Sequence, residues 1–321
     1  MRGTEPAPAV RASEPAVSIN VPCYHQLSHA RRAVDSMLAQ SFADFEVTLL
    51  DDGASDDYRS YVESLGDPRV RYCRNAERLG AMGNMFAAIE AGRGKYTLAF
   101  HEDDLLDKDY LAAAVGILEG HPACGFVACE LREFEHEPPA GARDRPNAQP
   151  AYELFSSGTD MVRGILRGVE PMFGSVVYRR AALEGVRPPH EMFATLVDRP
   201  FLLSILRREW TCAVIREPLV WYRRHGEGDA RHLAMTTDHV RQLLRTYRQM
   251  LPARWNKQDQ ALFFSYTGHW LFELYRLTPP AGRPSVRRFL FDAWRDGLYN
   301  PRSRGRFGLR QIGRALLNQL P

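Results

Sequence analysis

The side chains best suited to chemistry in this chain gather at the ends of two apolar runs. His101-Glu102-Asp103-Asp104 follows the run Tyr96 to Phe100, and Asp51-Asp52-Gly53-Ala54-Ser55-Asp56-Asp57 follows the run Phe45 to Leu50. Acid this dense at a strand end suits a bound cation, because hard divalent ions take oxygen ligands. Two plainer explanations compete. Asp and Glu favour the first turn of a helix, and Asp107 to Glu119 reads as one. An Asp just ahead of Gly53 also makes a turn without any ligand.

The elements that must position these clusters follow from the apolar pattern. Val17 to Val21, Phe45 to Leu50, Val70 to Cys73 and Tyr96 to Phe100 are short apolar runs, most of them closed off by Pro, Gly or acid, as buried strands are. Between them Ala30, Val34, Met37 and Leu38, and later Met82, Phe86 and Ile89, recur at helical spacing. The order β-α-β-α-β-α-β-α predicts an α/β fold: a mostly parallel, Rossmann-like sheet sandwiched by helices. Such sheets bind ligands beyond the carboxyl ends of their strands, where both acidic clusters lie. Pro22 is expected to stop the first strand. A strand over Gly125 to Cys129 leads into Glu133 to Pro150, a loop or insertion heavy in Pro, Ala and charge. Ser157 to Arg167 and Asp198 to Arg208 read as helices, Gly174 to Tyr178 and Thr211 to Ile215 as strands, and the chain from Asp238 onward as helical.

Whole-chain properties narrow the class. The 321 residues carry 25% charged side chains and a formal net charge of +3, so no global field points to nucleic acid. Five cysteines, an odd number without a CxxC pair, read as reduced, buried thiols of a cytoplasmic protein. Met1 to Ala16 is rich in Pro, Ala and Glu and has no apolar stretch, so it is expected to be a disordered segment rather than a signal peptide. No apolar run approaches the roughly 18 residues of a spanning helix.

Four segments, in order and at fitting intervals over Val17 to Leu111, carry a resemblance. They are Pro22-Cys23-Tyr24-His25, the loop Leu50 to Asp57, the stretch Asn75 to Asn84, and His101-Glu102-Asp103-Asp104. Together they resemble the family 2 glycosyltransferases of the GT-A fold, which move a sugar from a nucleotide diphosphate to an acceptor hydroxyl with inversion. The resemblance implies that Pro22, Tyr24 and Asp52 hold the base and ribose. Asp52 would accept from a pyrimidine imide N–H, as in a UDP- or dTDP-sugar, and Tyr24 offers a flat apolar face. Asn75, Arg78, Leu79, Gly80, Ala81 and Asn84 look like the family's Asn-x-Gly-x-x-x-Ala-x-Asn stretch, with Glu77 where Gly is usual. Arg78 is then a phosphate or base contact, or simply an exposed residue at a helix start.

In the family's DxD position stands Glu102-Asp103-Asp104. By resemblance Asp104 coordinates a divalent cation, Mn²⁺ or Mg²⁺, and Asp103 faces the ribose or a metal-bound water. His101, where relatives often carry Asp, is an extra ligand or a packed histidine. The family's base heads a later helix, and Leu196 to Leu203 matches that pattern with Asp198 in place, although Val197 replaces the usual acid and Glu191 competes. Asp198 as a helix cap ahead of Pro200 is the alternative. Leu219 to His225 resembles the family's Tyr-Arg-x-His ending, which brings His225, with Arg223 or Arg224, to the diphosphate. Met172 to Ser175 lies where relatives line the acceptor site.

The expected organisation is a GT-A domain over residues 17–230, with a nucleotide part to 111 and an acceptor part from 112, and a helical C-terminal extension over 231–321. Val286, Arg287, Phe289, Leu290, Ala293 and Trp294 read there as one amphipathic helix, and Arg302, Arg304, Arg306, Arg310 and Arg314 as a basic tail. Such a tail can lie on anionic membrane, which suits a glycolipid acceptor, or form a solvated appendage or dimer contact. A nucleotidyltransferase of similar topology would need a Gly-rich basic loop after the first strand, which Pro22 to His25 does not supply. A non-catalytic sugar-nucleotide or polysaccharide-binding protein is the other alternative.

Overall fold

The computed structural model describes residues 14–53, 55–135, 150–187, 196–224, 237–253, 256–278, 282–295 and 297–298. Expectations for Met1 to Ser13, Glu191, His225 and the tail Arg302 to Arg314 lie outside the described residues. The chain divides into two compact units. One comprises Met1–Leu154, Pro171–Val186 and Trp210–Glu227, the other Phe155–Glu170, Arg187–Glu209 and Gly228–Pro321.

The first unit is built on one sheet. Strands β1 (Val17–Cys23), β2 (Phe45–Asp51), β3 (Val70–Arg74) and β4 (Tyr96–Ala99) alternate with helices α1 (Leu27–Leu38), α2 (Asp57–Leu65) and α3 (Gly80–Glu90). The sheet continues through β5 (Leu105–Leu106), β6 (Cys124–Phe134), β7 (Tyr152–Phe155), β8 (Val176–Arg179) and β9 (Thr211–Arg223), with α4 (Tyr110–Gly120) after β5 and α6 (Arg180–Leu183) after β8. The strand order is β3-β2-β1-β4-β8-β6-β9-β5, with β7 pairing to β9. The quartet β3-β2-β1-β4 is parallel throughout. β8 is antiparallel to both neighbours, β6 is parallel to β9, and β5 is antiparallel to β9.

The core explains the apolar runs. Val17, Ile19, Val21, Phe45, Val47, Leu49, Tyr96 and Leu98 are buried, because a parallel strand covered on both faces has no solvent side to alternate with. Pro22 does not end β1, contrary to expectation. Asn20 accepts from the Phe100 amide on the β4 side, so two residues on the proline nitrogen faces the same side, and β4 stops at Ala99. The missing N–H therefore costs no ladder bond. Four cysteines are buried and free, but Cys73 is exposed. At the opposite strand ends, buried Glu46 gathers Ser18 Oγ at 2.9 Å and Arg93 Nε at 2.9 Å, and pairs with Arg71.

The second unit is helical. It contains α5 (Gly158–Leu166), α7 (Asp198–Leu206), α8 (Thr237–Met250), α9 (Lys257–Leu277) and α10 (Arg283–Arg295). Ser157 caps α5, its hydroxyl accepting from the Asp160 amide at 3.2 Å. Arg163 on that helix forks onto buried Asp259 of α9 at 3.0 and 2.8 Å, a two-point pairing that fixes the helices' register. Gly158 lies so close to Met250 that a Cβ would fall 2.0 Å from the methionine methyl. No described helix is long and apolar enough to cross a membrane.

Candidate functional site

The carboxyl edge of β2, β1 and β4 brings the two acidic clusters of the first unit to one side of the sheet. Each carboxylate there has distinct work. Asp51, at the end of β2, accepts from the Gly53 amide and from the Tyr72 hydroxyl, both at 2.8 Å. The turn-forming role that competed with a ligand role for Asp52 thus belongs to Asp51. Asp52 is also buried, and it accepts from Asn75 Nδ2 at 2.9 Å and from the Leu79 and Gly80 amides at 2.8 Å each. Those two amides are among the unsatisfied donors at the start of α3, so Asp52 ties β2 to that helix. Gly80 adopts φ of +72° there, a conformation a side chain would strain.

The Asn75 to Asn84 pattern acquires a physical meaning in this network. Asn75 Nδ2 also reaches Asn84 Oδ1 at 3.0 Å, and Asn84 Nδ2 donates to the Leu50 carbonyl at 2.9 Å. The stretch closes back on β2 and leaves Arg78 and Leu79 exposed. Arg78 places its guanidinium 4.6 Å from the centre of the Tyr24 ring, a cation–π contact. Tyr24, Arg78 and Leu79 thus form an exposed aromatic, cationic and apolar group beside Asp52, with Pro22 at the end of β1.

Glu102, to which sequence reasoning assigned no role, is the clasp of this side. Its carboxylate accepts from the Tyr24 amide at 2.7 Å and from the Tyr58 hydroxyl on α2. Tyr58 in turn accepts from the Gln26 amide at 2.9 Å. Between these anchors His25 sits at φ +59°, a costly conformation for a bulky residue unless its neighbours hold it. Burial pushes the Glu102 carboxyl up to about 7, against the hydrogen bonds from Tyr58 and Tyr24. Burial and the nearby Glu102 charge push the Tyr58 phenol up as well. Its place inside the acidic motif was visible in sequence, but its partner 44 residues away was not.

At the end of β4, His101, Asp103 and Asp104 each offer a ligand atom, and these lie within 4.8 Å of one another. Asp104 is buried. Its Oδ1 accepts from the Arg223 amide at 2.8 Å, and its Oδ2 meets His101 Nδ1 at 2.9 Å. Burial raises the Asp104 carboxyl, and the contact with His101 works against that rise. Asp103 is the partly exposed carboxylate of the three. Arg223 secures the segment a second time, its Nε donating to the Asp103 carbonyl at 3.0 Å while the guanidinium stacks 4.4 Å from the Phe134 ring centre. Arg224 pairs with Glu133 at 3.0 Å. Phe173–Ser175 forms a single 3-10 turn against the cluster. A Cβ on Gly174 would lie 3.2 Å from His101 Nδ1 and 3.4 Å from Asp104 Oδ2.

The structure thus brings together Pro22, Tyr24, Asp52, Arg78, Asp103 and Asp104 in the first unit. Asp198 is the first residue of α7 in the second unit, with Val197 at the cap position, and is partly exposed.

Known proteins match this arrangement. A 36% identical segment of 201 residues is shared with an uncharacterized protein, y4gI, of Sinorhizobium fredii, covering 60% of this chain and 20% of that protein. The putative colanic acid biosynthesis glycosyl transferase WcaA of Escherichia coli is 31% identical over 94 residues, 29% of this chain and 34% of its own. This chain therefore spans about a third or less of the length of these curated relatives. Among solved structures, TarS residues 1-349 of S. aureus in complex with UDP-GlcNAc superposes with a TM-score of 0.63 at 15% identity, covering 88% of this chain and 83% of that one. The mannosyltransferase PcManGT of Pyrobaculum calidifontis, in complex with GDP-Man and Mn2+, gives 0.53 at 20% identity over 97% and 82%. The model of glycosyl transferase family 2 matches residues 18–186, just over half of the chain. With that match and this sheet, the chain belongs to glycosyl transferase family 2 and has the GT-A fold.

Proposed function

We propose that the protein is an inverting transferase that moves a sugar from a nucleotide-diphosphate donor, of UDP or dTDP type, to a hydroxyl of a glycan or glycolipid in cell-surface polysaccharide or glycoconjugate synthesis. The observation that carries this reading is the joint placement of two sites at one sheet edge: the Tyr24, Arg78 and Asp52 group, and the trio His101, Asp103 and Asp104. The first suits a nucleoside, with an aromatic face, a cation and a carboxylate. The second suits a diphosphate accompanied by a divalent ion. Neighbouring folds bound to UDP-GlcNAc and to GDP-Man with Mn2+ support that pairing.

The donor set fits Mn²⁺ or Mg²⁺, with carboxylate oxygens and one imidazole nitrogen. Asp104 is the expected ligand, and the single hydrogen bonds that its oxygens make to Arg223 and His101 leave each a second lone pair. His101 and Asp103 offer the other ligand atoms of the trio. Such an ion supplies positive charge to the departing nucleoside diphosphate.

The chain's own residues do the rest. Tyr24 and Pro22 bed the base, and Arg78 adds a cation at the nucleoside edge. Asp52 holds the α3 start in place beside it. Asp198 takes the proton from the acceptor hydroxyl as its oxygen attacks the anomeric carbon. The bond to the diphosphate breaks on the opposite face, which gives inversion. His225 supplies a further cation to the leaving group. A glycolipid acceptor would put the enzyme at the inner, cytoplasmic face of a membrane.

The test has two arms. Nucleoside diphosphates with Mn²⁺ should raise the melting temperature, and Asp198→Asn should abolish transfer while leaving that rise intact. Full transfer by Asp198→Asn would overturn the base assignment, and no nucleotide-induced rise would overturn the donor reading.

A further inference from the structure

Helix α10 presents two faces of opposite character. Val286, Phe289 and Ala293 are buried on the inner face, with Leu298 beyond the helix end. Arg241 covers Phe289 at 5.0 Å and Arg241 Nη2 lies 4.0 Å from Asp292. The inner face is therefore satisfied. The outer face carries Arg287, Arg288, Phe291, Trp294 and Arg295, all exposed. Arg287 and Arg288 lie four and three residues before Phe291, and Trp294 and Arg295 three and four after it, a stripe of about 12 Å at 1.5 Å per residue.

Phe291 and Trp294 are 58% and 51% exposed, and their ring centres lie 5.8 Å apart, edge to face. Two large aromatics side by side on an outer face, when the inner face is already filled, are not explained by the core. The helix carries one acid, Asp292, which pairs with Arg295 at 3.2 Å. Past Asp296 the sequence holds five arginines and no acid to its last residue.

We infer that the Phe291–Trp294 stripe of α10 is a docking surface for an anionic lipid bilayer. The chemistry is matched on both counts. Amphipathic rings settle at the level of lipid headgroups, where an apolar body and a polar edge are both accommodated. Arginines on the same face meet anionic headgroups, a contact that weakens as salt screens it. A second copy of the chain is a poorer occupant. A two-fold contact would set Arg287, Arg288 and Arg295 against their own copies.

The test uses the full chain with vesicles of equal parts phosphatidylglycerol and phosphatidylcholine, and with phosphatidylcholine alone, in a flotation assay. The wild-type protein should float with the anionic vesicles only, and added salt should release it. F291S/W294S, both positions being exposed, should keep its melting temperature and lose about tenfold in apparent vesicle affinity; R287E/R288E should lose binding to the anionic vesicles. Three results would overturn the inference: no flotation of the wild type, flotation undiminished in F291S/W294S, or a dimer in solution that F291S/W294S dissociates.

Discussion

Glu102→Gln tests how the donor side of the first unit is held. The carboxyl is 8% exposed, and burial lifts it from an ordinary 4.5 to about 7. A folded value above the unfolded one means that the native chain binds the proton more tightly between the two. The contribution to stability is then greatest below about pH 4.5 and falls as pH rises, with the loss complete above about pH 7. A gap of roughly 2.5 pH units at about 1.36 kcal/mol each comes to about 3 kcal/mol. Glutamine is neutral throughout and keeps an oxygen for the Tyr24 amide, so it mimics the protonated form and removes the slope. For a unit of this size each kcal/mol moves a melting midpoint by about 2–4 °C, so the two proteins should diverge by about 6–12 °C. Melting curves of both, recorded in chelator from below the lower value to above the upper one, measure that divergence. The variant should gain on the wild type as pH rises, since all other carboxylates are common to both. A constant difference between the two midpoints would refute the reasoning.

Three further substitutions probe the neighbouring groups. Asp103→Asn should weaken Mn²⁺ binding in the presence of UDP by about tenfold or more, read by calorimetry, because a carboxylate ligand is lost; unchanged binding would move the ion elsewhere. Asp52→Asn swaps one acceptor oxygen for a donor facing the Leu79 or Gly80 amide, and should cost about 1–3 kcal/mol in unfolding free energy along with nucleotide affinity. A variant as stable as the wild type would mean that the α3 start needs no such tie. Gly174→Ala adds a methyl 3.2 Å from His101 Nδ1 and should reduce Mn²⁺ affinity at an unchanged melting temperature. Equal affinity would show that the 3-10 turn does not shape the cluster.

Much of the parallel quartet was legible because three of its strands, β1, β2 and β4, are buried on both faces and its breakers are local. Phe45 to Leu50 and Tyr96 to Phe100 needed no tertiary information to read as strands. Other features depended on partners remote in sequence. Leu105–Leu106 is a strand only because Trp221 and Val220 lie beside it. β9 runs on to Arg223, past Pro218, because β6 accompanies it through register shifts at Cys129 and Glu130. The direction of β8 is a property of the sheet that apolar spacing does not encode. At the site, the acidic strand ends were visible, but the division of labour within them was not. Motif position cannot distinguish Asp51 from Asp52, or Asp103 from Asp104; burial and hydrogen-bond partners can.

That division bears on what a divalent ion would add to the proposed reaction. Asp51, Asp52, Glu102 and Asp104 are all buried, and each accepts from a backbone amide and is joined by a tyrosine hydroxyl or an asparagine or histidine side chain. Most of the acid at this edge therefore ties loops to strands. Where ionised, these carboxylates still bring negative charge to the edge, although burial raises Glu102 to about 7 and raises Asp104 as well. Of the described cations here, Arg74 lies 3.7 Å from Asp51, while Arg223 turns toward the Asp103 carbonyl and the Phe134 ring and Arg78 toward Tyr24. A diphosphate approaching this edge alone would meet like charge in a partly desolvated setting, where repulsion is strong. Were a divalent ion bound by the trio His101, Asp103 and Asp104, its charge would offset that repulsion. The same argument predicts that nucleoside diphosphate and metal bind with mutual dependence, each tightening the other by the same factor, and titrations of each in the presence and absence of the other would reject it if the two affinities proved independent.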